Sequence, residues 1–317
     1  MKITDHIQQA KDTLISFEIL PPLKGKSISS IYDHLDPLME FKPSWINVTY
    51  HRSETAFKKR ADGSFEKVEV RKRPGTVGIC AAIMNHYKID AVPHIICGGF
   101  TRRETEDALI DLNFLGIDNA LVIRGDAAKN ESSFEPELHG HVYAIDLLRQ
   151  VTHLNSGLYI DEDIQNGGKT NFCVGVAGYP EKHFEAPNLE IDMQRLKEKV
   201  DAGAEYIMRQ MFFDNDKLYA FEKVCRENGI EVPIIPGIKP ITSKKQLSLL
   251  PRIFHVDIPT ILSKEIMKCK TDEEVEKVGT EWLIQQSREL KKFGVPVLHY
   301  YTLGKPRVIR NVVKEIV

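Results

Sequence analysis

The stretch that decides the fold is Asn119-Ala120-Leu121-Val122-Ile123-Arg124-Gly125-Asp126. Ala120 to Ile123 form a short, unbroken apolar run, the pattern of a strand buried on both faces in a parallel sheet. The run stops abruptly at Arg124, Gly125 and Asp126. A helical pattern precedes it, with Thr101 and Glu104 spaced for a capping box and Gly116 placed to end the helix. Turn residues follow. The Arg-Gly-Asp triplet therefore lies at the C-terminal end of a strand, the end at which parallel α/β folds handle ligands.

Working outward, seven further segments read as strands: 14–20, 45–50, 91–97, 172–179, 206–213, 232–238 and 296–302. Helical spacing fills 27–41, 76–87, 101–115, 141–152, 189–202 and 216–228. Two or three helices occupy 243–293, the last running over 272–293, and a closing helix spans 306–317. After the second strand comes a long polar excursion, 51–74. Its Asp62-Gly63 pair lies between Phe57-Lys58-Lys59-Arg60 and Phe65-Glu66-Lys67-Val68, which predicts a projecting β-hairpin. Eight strands alternating with helices, with no composition break, predict one (β/α)8 TIM barrel over residues 1–317, an α/β domain with extra helices and a hairpin insertion after strand two. A doubly wound two-domain fold would need a linker or a Gly-x-Gly-x-x-Gly turn, and the chain has neither.

Composition narrows the function. The chain has 317 residues, 42% hydrophobic and 28% charged, with a formal net charge of -2, which points away from nucleic acid and membrane surfaces as main partners. The five cysteines are widely spaced and include no Cys-x-x-Cys pair. That fits a reducing cytoplasm better than a disulfide framework or a zinc site. Residues 1–5 open an amphipathic helix and lack the apolar core of a signal peptide, and no apolar run is long enough to cross a bilayer.

The strand ends carry Glu18, Thr49 with Tyr50, His94, Arg124 with Asp126, Tyr179, Gln210, the Pro236-Gly237 turn, and Tyr301 with Thr302. Any one could be a solvated rim residue; together they outline a site on one face. Glu18, between Phe17 and Ile19 and just before Pro21-Pro22, is expected to be poorly hydrated. Desolvation raises a carboxyl pKa and suits a general acid working near neutral pH; a capping or ion-paired glutamate is the plainer reading. Asp126, beside Arg124, is expected to stay ionised, giving two carboxylates with opposite roles; a structural Arg124–Asp126 salt bridge is the alternative. No lysine falls inside the eight strands, which disfavours a Schiff-base aldolase, and no His-x-His pair ends a strand, so no metal is expected. Gly98-Gly99 could approach a phosphate through backbone amides. The basic clusters Lys58-Lys59-Arg60 and Arg71-Lys72-Arg73 read first as solvated hairpin faces and second as cover for an anionic ligand.

In chain order, the chain carries Ser16-Phe17-Glu18-x-x-Pro21-Pro22, Val48-Thr49-Tyr50, Pro93-His94-x-x-Cys97, Arg124-Gly125-Asp126, Ala177-x-Tyr179-Pro180-Glu181-x-His183, Lys199-Val200-Asp201-Ala202-Gly203-Ala204, Gln210-x-Phe212-Phe213-Asp214, Ile235-Pro236-Gly237-Ile238 and Tyr301-Thr302-Leu303. This ordered set resembles the methylenetetrahydrofolate reductases, in the compact form of the catalytic barrel. The resemblance implies noncovalent FAD, reduction of the flavin by NADH or NADPH, and then hydride transfer to 5,10-methylenetetrahydrofolate in a ping-pong cycle. It implies that Glu18 protonates the folate ring nitrogen and that Asp126 stabilises the resulting cation. By resemblance, Thr49, Tyr50, His94, Arg124, Gly125, Asp126, Tyr143, Ala144, Tyr179, His183, Ala186, Asp192 and Lys199 match FAD-contacting positions. Gln210, Gln246, Tyr301 and Lys305 match substrate-contacting ones. Homo-oligomers are common in the family. Leu250 stands in place of a stacking phenylalanine and Lys305 in place of an arginine, while Arg195 and Glu198 also depart from the bacterial pattern. From the residues alone, Lys199 reads equally as a surface helix residue and Gln246 as an exposed one. A flavin-free pterin-binding barrel, such as a folate-dependent methyltransferase, is the rival reading, and a non-catalytic binding subunit is a third.

Overall fold

The computed structural model describes the chain except for residues 128–130, 132 and 180. In order, α1 (Ile3–Gln9) leads to β1 (Leu14–Ile19), α2 (Ser29–Leu35), a 3-10 turn (Asp36–Phe41), β2 (Trp45–Val48) and the hairpin strands β3 (Glu54–Lys59) and β4 (Phe65–Val70). Then come α3 (Thr76–Tyr87), β5 (Asp90–Ile96), α4 (Arg102–Phe114), β6 (Asn119–Ile123), α5 (Ala144–Asn155), β7 (Cys173–Gly178), α6 (Leu189–Asp201), β8 (Tyr206–Arg209) and α7 (Asn215–Glu227). The chain closes with β9 (Ile234–Ile235), β10 (Gly237–Ile238), α8 (Gln246–Phe254), α9 (Thr260–Lys268), α10 (Asp272–Phe293), β11 (Val297–Tyr301) and α11 (Pro306–Lys314).

Nine strands form one parallel sheet in the order β10-β11-β1-β2-β5-β6-β7-β8-β9. Its two edges, β9 and β10, are consecutive pieces of one segment separated by Pro236, which has no N–H to give to a ladder. β9 bonds to β8 and β10 to β11, so the split strand almost closes the ring into an α/β barrel of the TIM type. The predicted seventh strand, 232–238, is this interrupted segment. The hairpin is present where expected: β3 and β4 pair antiparallel around Gly63, whose φ of +85° suits the turn between them.

Burial follows the strand alternation. Phe17, Ile46, Val48, Val122, Val174 and Ile207 turn outward onto the helices. Trp45, Leu121, Cys173, Tyr206, Met208 and Val297 fill the lower lumen, together with Ile3 of α1. Asn119 fixes α1 there, accepting from the Ile3 amide at 2.9 Å and donating to the Met1 carbonyl at 2.9 Å. A Cβ on Gly175 would lie 2.1 Å from the Tyr206 ring, so the glycine leaves room for that tyrosine to occupy the lumen. With the bottom filled, the lumen opens toward its C-terminal mouth, the end at which such barrels handle ligands.

Three expectations shift. The helix predicted over 27–41 breaks at Leu35 and tightens into a 3-10 turn with Pro37 at its start. The sixth strand stops at Arg209, and Met211 and Phe213 instead join Leu250, Leu262, Val275 and Tyr301 in a second apolar cluster. The helix expected from residue 141 begins at Ala144, with Tyr143 as its N-cap residue.

Candidate active site

Glu18 is the best-defined acid. β1 pairs with β11 and β2, and the Glu18 carbonyl accepts from the Thr302 amide at 3.1 Å and its hydroxyl at 2.7 Å, which fixes the backbone at the rim. The side chain is 8% exposed. Its Oε2 lies 3.5 Å from His94 Nε2 and 3.8 Å from His299 Nε2. Neither imidazole offers a full charge: burial holds His94 down to about 4 and His299 down to about 3. Burial pushes the Glu18 carboxyl up to about 7, against a smaller opposing pull from His94. The rings are fixed by polar neighbours facing the same lumen. Asn47 Nδ2 sits 3.2 Å from His94 Nε2, and Ser16 Oγ sits 2.8 Å from His299 Nδ1. The ion-paired alternative for Glu18 fails because both neighbouring imidazoles are neutral near pH 7. Apolar flanks and a following Pro-Pro gave a correct account of its setting.

The end of β6 is different. Asp126 is exposed. It does not pair with Arg124, whose guanidinium forks onto Glu185 at 2.6 and 2.9 Å, so the Arg124–Asp126 bridge is replaced by one reaching the loop after β7. Gly125 has φ +86°, and a Cβ there would meet Ile96 at 3.3 Å. Asp126 acts electrostatically on Tyr179 and on His51, and His51 in turn acts on His94. The two carboxylates thus belong to one rim, linked through His51 and His94. The cavity between α2, α3 and α4 is lined by neither of them.

The loop after β7 gathers much of the expected FAD set. Tyr179 and His183 meet edge to face at 4.6 Å, and the His183 amide donates to buried Asp192 at 3.0 Å. Ala186 is buried, and its amide donates to the His183 carbonyl at 2.9 Å. Lys199 does not lie free on the helix surface: its Nζ donates to the Ala177 carbonyl at 3.1 Å, and burial lowers it to about 8 despite the nearby Asp192. Pro180, part of the motif, lies outside the described residues. Tyr143 is exposed and Ala144 half-buried at the start of α5. On the opposite side Thr49 lies 3.3 Å from His51 Nε2, and Tyr50 packs on Phe100 at 4.9 Å.

The four substrate positions separate. Tyr301 is buried level with Glu18, its hydroxyl donating to the Arg209 carbonyl at 3.0 Å across Gly237. Gln210 Oε1 accepts from the Met211 amide at 2.9 Å. Gln246 Oε1 accepts from the Thr242 amide at 2.8 Å and so braces the turn into α8. Lys305 points away, its amine 2.6 Å from Glu276 on α10. Leu250 is buried in the second apolar cluster. Gly98-Gly99 seats Arg52 rather than standing open: a Cβ on Gly99 would fall 2.9 Å from Arg52 Cβ.

Sequence reasoning missed Ser16, Asn47 and His299, which alternation along β1, β2 and β11 would have placed beside Glu18. It also missed Lys239, one residue past β10. Lys239 is 3% exposed, its Nζ has no hydrogen-bond partner among the described residues, and burial lowers it to about 8.

The fold and rim define a parallel α/β barrel with a buried, neutralisable acid at its C-terminal mouth, the general form of a barrel enzyme. The family model for methylenetetrahydrofolate reductase matches residues 2–317, and the chain belongs to that family. It is 29% identical over 322 residues to methylenetetrahydrofolate reductase 1 of Schizosaccharomyces pombe, covering 100% of this chain and 48% of that protein. It is 30% identical over 292 residues to the 5,10-methylenetetrahydrofolate reductase of Salmonella typhimurium, covering 92% of this chain and 86% of that protein. The chain thus spans about half the length of its eukaryotic relatives. Among solved structures, an uncharacterised Clostridium thermocellum protein that binds two copies of 5-methyl-5,6,7,8-tetrahydrofolic acid shares the fold, with a TM-score of 0.56 at 13% identity over 99% of both chains.

Proposed function

We propose that this chain reduces 5,10-methylenetetrahydrofolate to 5-methyltetrahydrofolate with FAD, taking electrons from NADH or NADPH in a ping-pong cycle. The observation that carries the reading is Glu18, a carboxyl buried at the barrel mouth between two neutral imidazoles.

The rim suits a flavin dinucleotide. Gly125 keeps the backbone bare at the end of β6, and the Lys199 amine and His183 ring stand together beside Tyr179. Arg124, Gly125, Tyr179, His183, Ala186, Asp192 and Lys199 would hold it. Bound FAD supplies hydride relay between nicotinamide and folate. The remaining chemistry belongs to the chain. Glu18 retains its proton near neutrality because no cation stands beside it, and it gives that proton to the arylamine nitrogen of the folate's five-membered ring, whose departure from the methylene carbon opens that ring and leaves the one-carbon unit on the pterin nitrogen. Asp126 presents negative charge to the iminium formed on the folate. The enclosing His94, His299 and Tyr301 side chains limit water around the acid.

The test separates the two half-reactions. Purified protein should be yellow, bleach anaerobically with NADH or NADPH, and regain colour when methylenetetrahydrofolate is added. Glu18→Gln should still bleach but recover colour far more slowly. A colourless preparation that gains no visible absorbance with FAD would overturn the proposal in favour of a flavin-free folate barrel.

A further inference from the structure

A cavity of about 530 Å³ lies outside the β1–β2–β5 wall, between the loop leading into α2, the first turns of α3 and α4, and the base of the hairpin. That is within the range of about 300–1,000 Å³ usual for small-ligand pockets. It is a compartment apart from the acid: His94 forms part of its wall, and Asn47 and Glu18 stand beyond the His94 ring. Its body is apolar, lined by Ile28, Ile31, Val77, Ile95 and Phe100.

One end is polar, and its groups lack partners. Gly75, the N-cap residue of α3, has no side chain to cap the helix, and no acidic residue occupies the first turn. The amides that open α3 therefore have no capping acceptor. Thr76 lines the cavity and is 3% exposed, yet its hydroxyl makes no hydrogen bond among the described residues. Buried polar groups in native proteins are as a rule hydrogen-bonded, so this hydroxyl points to a ligand. Arg71 lies at the same spot: a Cβ on Gly75 would strike its guanidinium, which also sits over the Tyr50 ring at 5.7 Å. Lys26 lines the cavity as well, and among the described residues no carboxylate pairs with either cation. Glu104, which acts on Tyr50, is held in its capping box with Thr101. Position separates Arg71 from the solvated cations further along the hairpin. The base that carries it is fastened to the barrel, with the Lys24 amide donating to the Lys72 carbonyl at 2.8 Å and Arg73 donating to the Pro21 carbonyl.

We infer that this cavity is a second ligand site, taking a small apolar or aromatic molecule that carries one oxyanion, a carboxylate or a phosphate. The oxyanion meets the Thr76 hydroxyl, the amides opening α3 and the Arg71 guanidinium, with Lys26 adding charge. The hydrocarbon body lies between Ile31, Ile95 and Phe100. The site goes beyond folate reduction and does not depend on it.

Calorimetric titration of the FAD-loaded protein tests this with three probes: phenyl phosphate, 3-phenylpropionate and the neutral 3-phenylpropan-1-ol. At least one anion should bind one-to-one, about tenfold or more tighter than the alcohol. The tighter anion identifies the oxyanion as phosphate or carboxylate. Arg71→Ala and the isosteric Thr76→Val should each weaken that anion about tenfold and leave the alcohol unchanged. Ile31→Trp should block both kinds of probe by filling the apolar body. Circular dichroism and melting temperature should match wild type in the Arg71 and Thr76 variants. Saturating NADH or 5-methyltetrahydrofolate should leave the anion's affinity unchanged. Absence of anion binding at millimolar concentration, affinity unmoved by Arg71→Ala and Thr76→Val, or displacement by folate or nicotinamide would overturn the assignment.

Discussion

Two corners of one rim hold carboxylates under opposite conditions. At β1, β5 and β11, Glu18 is enclosed with His94 and His299, and every group in the cluster is driven toward its uncharged form. At β6 and β7, Asp126 is exposed, and the neighbouring Arg124 and Glu185 keep full charge in a paired fork. The same strand-end position yields an enclosed carboxyl in one corner and a solvent-exposed one in the other. What differs is hydration: Glu18 is enclosed by His94, His299 and Tyr301, whereas Asp126 is exposed past the end of β6.

The largest expected effect breaks the comparison outright. Glu18→Gln should slow folate-driven recovery of flavin colour by about 10²–10⁴-fold in stopped-flow absorbance, the usual contribution of a positioned general acid. In the wild type that rate should fall as pH rises through about 7, where Glu18 loses its proton. A flat profile between pH 6 and 8 would count against the acid role.

The next effect is on stability. Glu18 has a raised folded pKa, so the fold favours its protonated form. The stabilisation is complete below the ordinary carboxyl value of 4.5 and is lost as pH rises to about 7. Glu18→Gln removes that loss, so the variant should melt a few degrees above wild type at pH 8 and show little gain at pH 4.5, by differential scanning calorimetry. The histidines run the other way: their contribution is present above 6.5 and lost as pH falls through about 4 and about 3. Lys239→Met tests the same dry environment with a cation. Removing a buried amine that has no hydrogen-bond partner among the described residues should raise unfolding free energy by about 1–3 kcal/mol in denaturant titration.

Effects in the wet corner should be smaller. Asp126→Asn should slow the folate half-reaction by about tenfold, as expected for one charge working near water. Glu185→Gln should cost about 0.5–1 kcal/mol of stability, less at high salt, because Arg124 and Glu185 meet near the surface. A larger salt-independent loss would mean that the fork is a buried strut, and the contrast between corners would fail.

How much of this could be read in advance follows from the same physics. Strand interiors such as 120–123 and the outward Phe17, Ile46 and Val122 are dictated by local pattern, and the barrel followed from them. Glu18 was legible because a polar residue inside an apolar strand run must face the lumen of the closed sheet when its neighbours face the helices. His94 was placed on the same rim from its strand end, but His299 and Asn47 were not: they come from separate strands, and the register of the closed sheet brings them within reach. The alternative of an Arg124–Asp126 bridge pairs Arg124 with its neighbour in sequence, whereas the fold supplies Glu185 from sixty-one positions away. Lys239 escaped notice because the strand before it is split at Pro236, and the pattern gave no sign that the following residue would be enclosed.

That split has a consequence for the whole wall. With two residues on each side of Pro236, the ring is fastened at its joint by two short, independent stitches rather than one ladder. Small sliding there costs few hydrogen bonds, and the joint lies beside Tyr301, which is paired in register with Glu18. The wall can give at such a seam while the rest of its staves stay clasped.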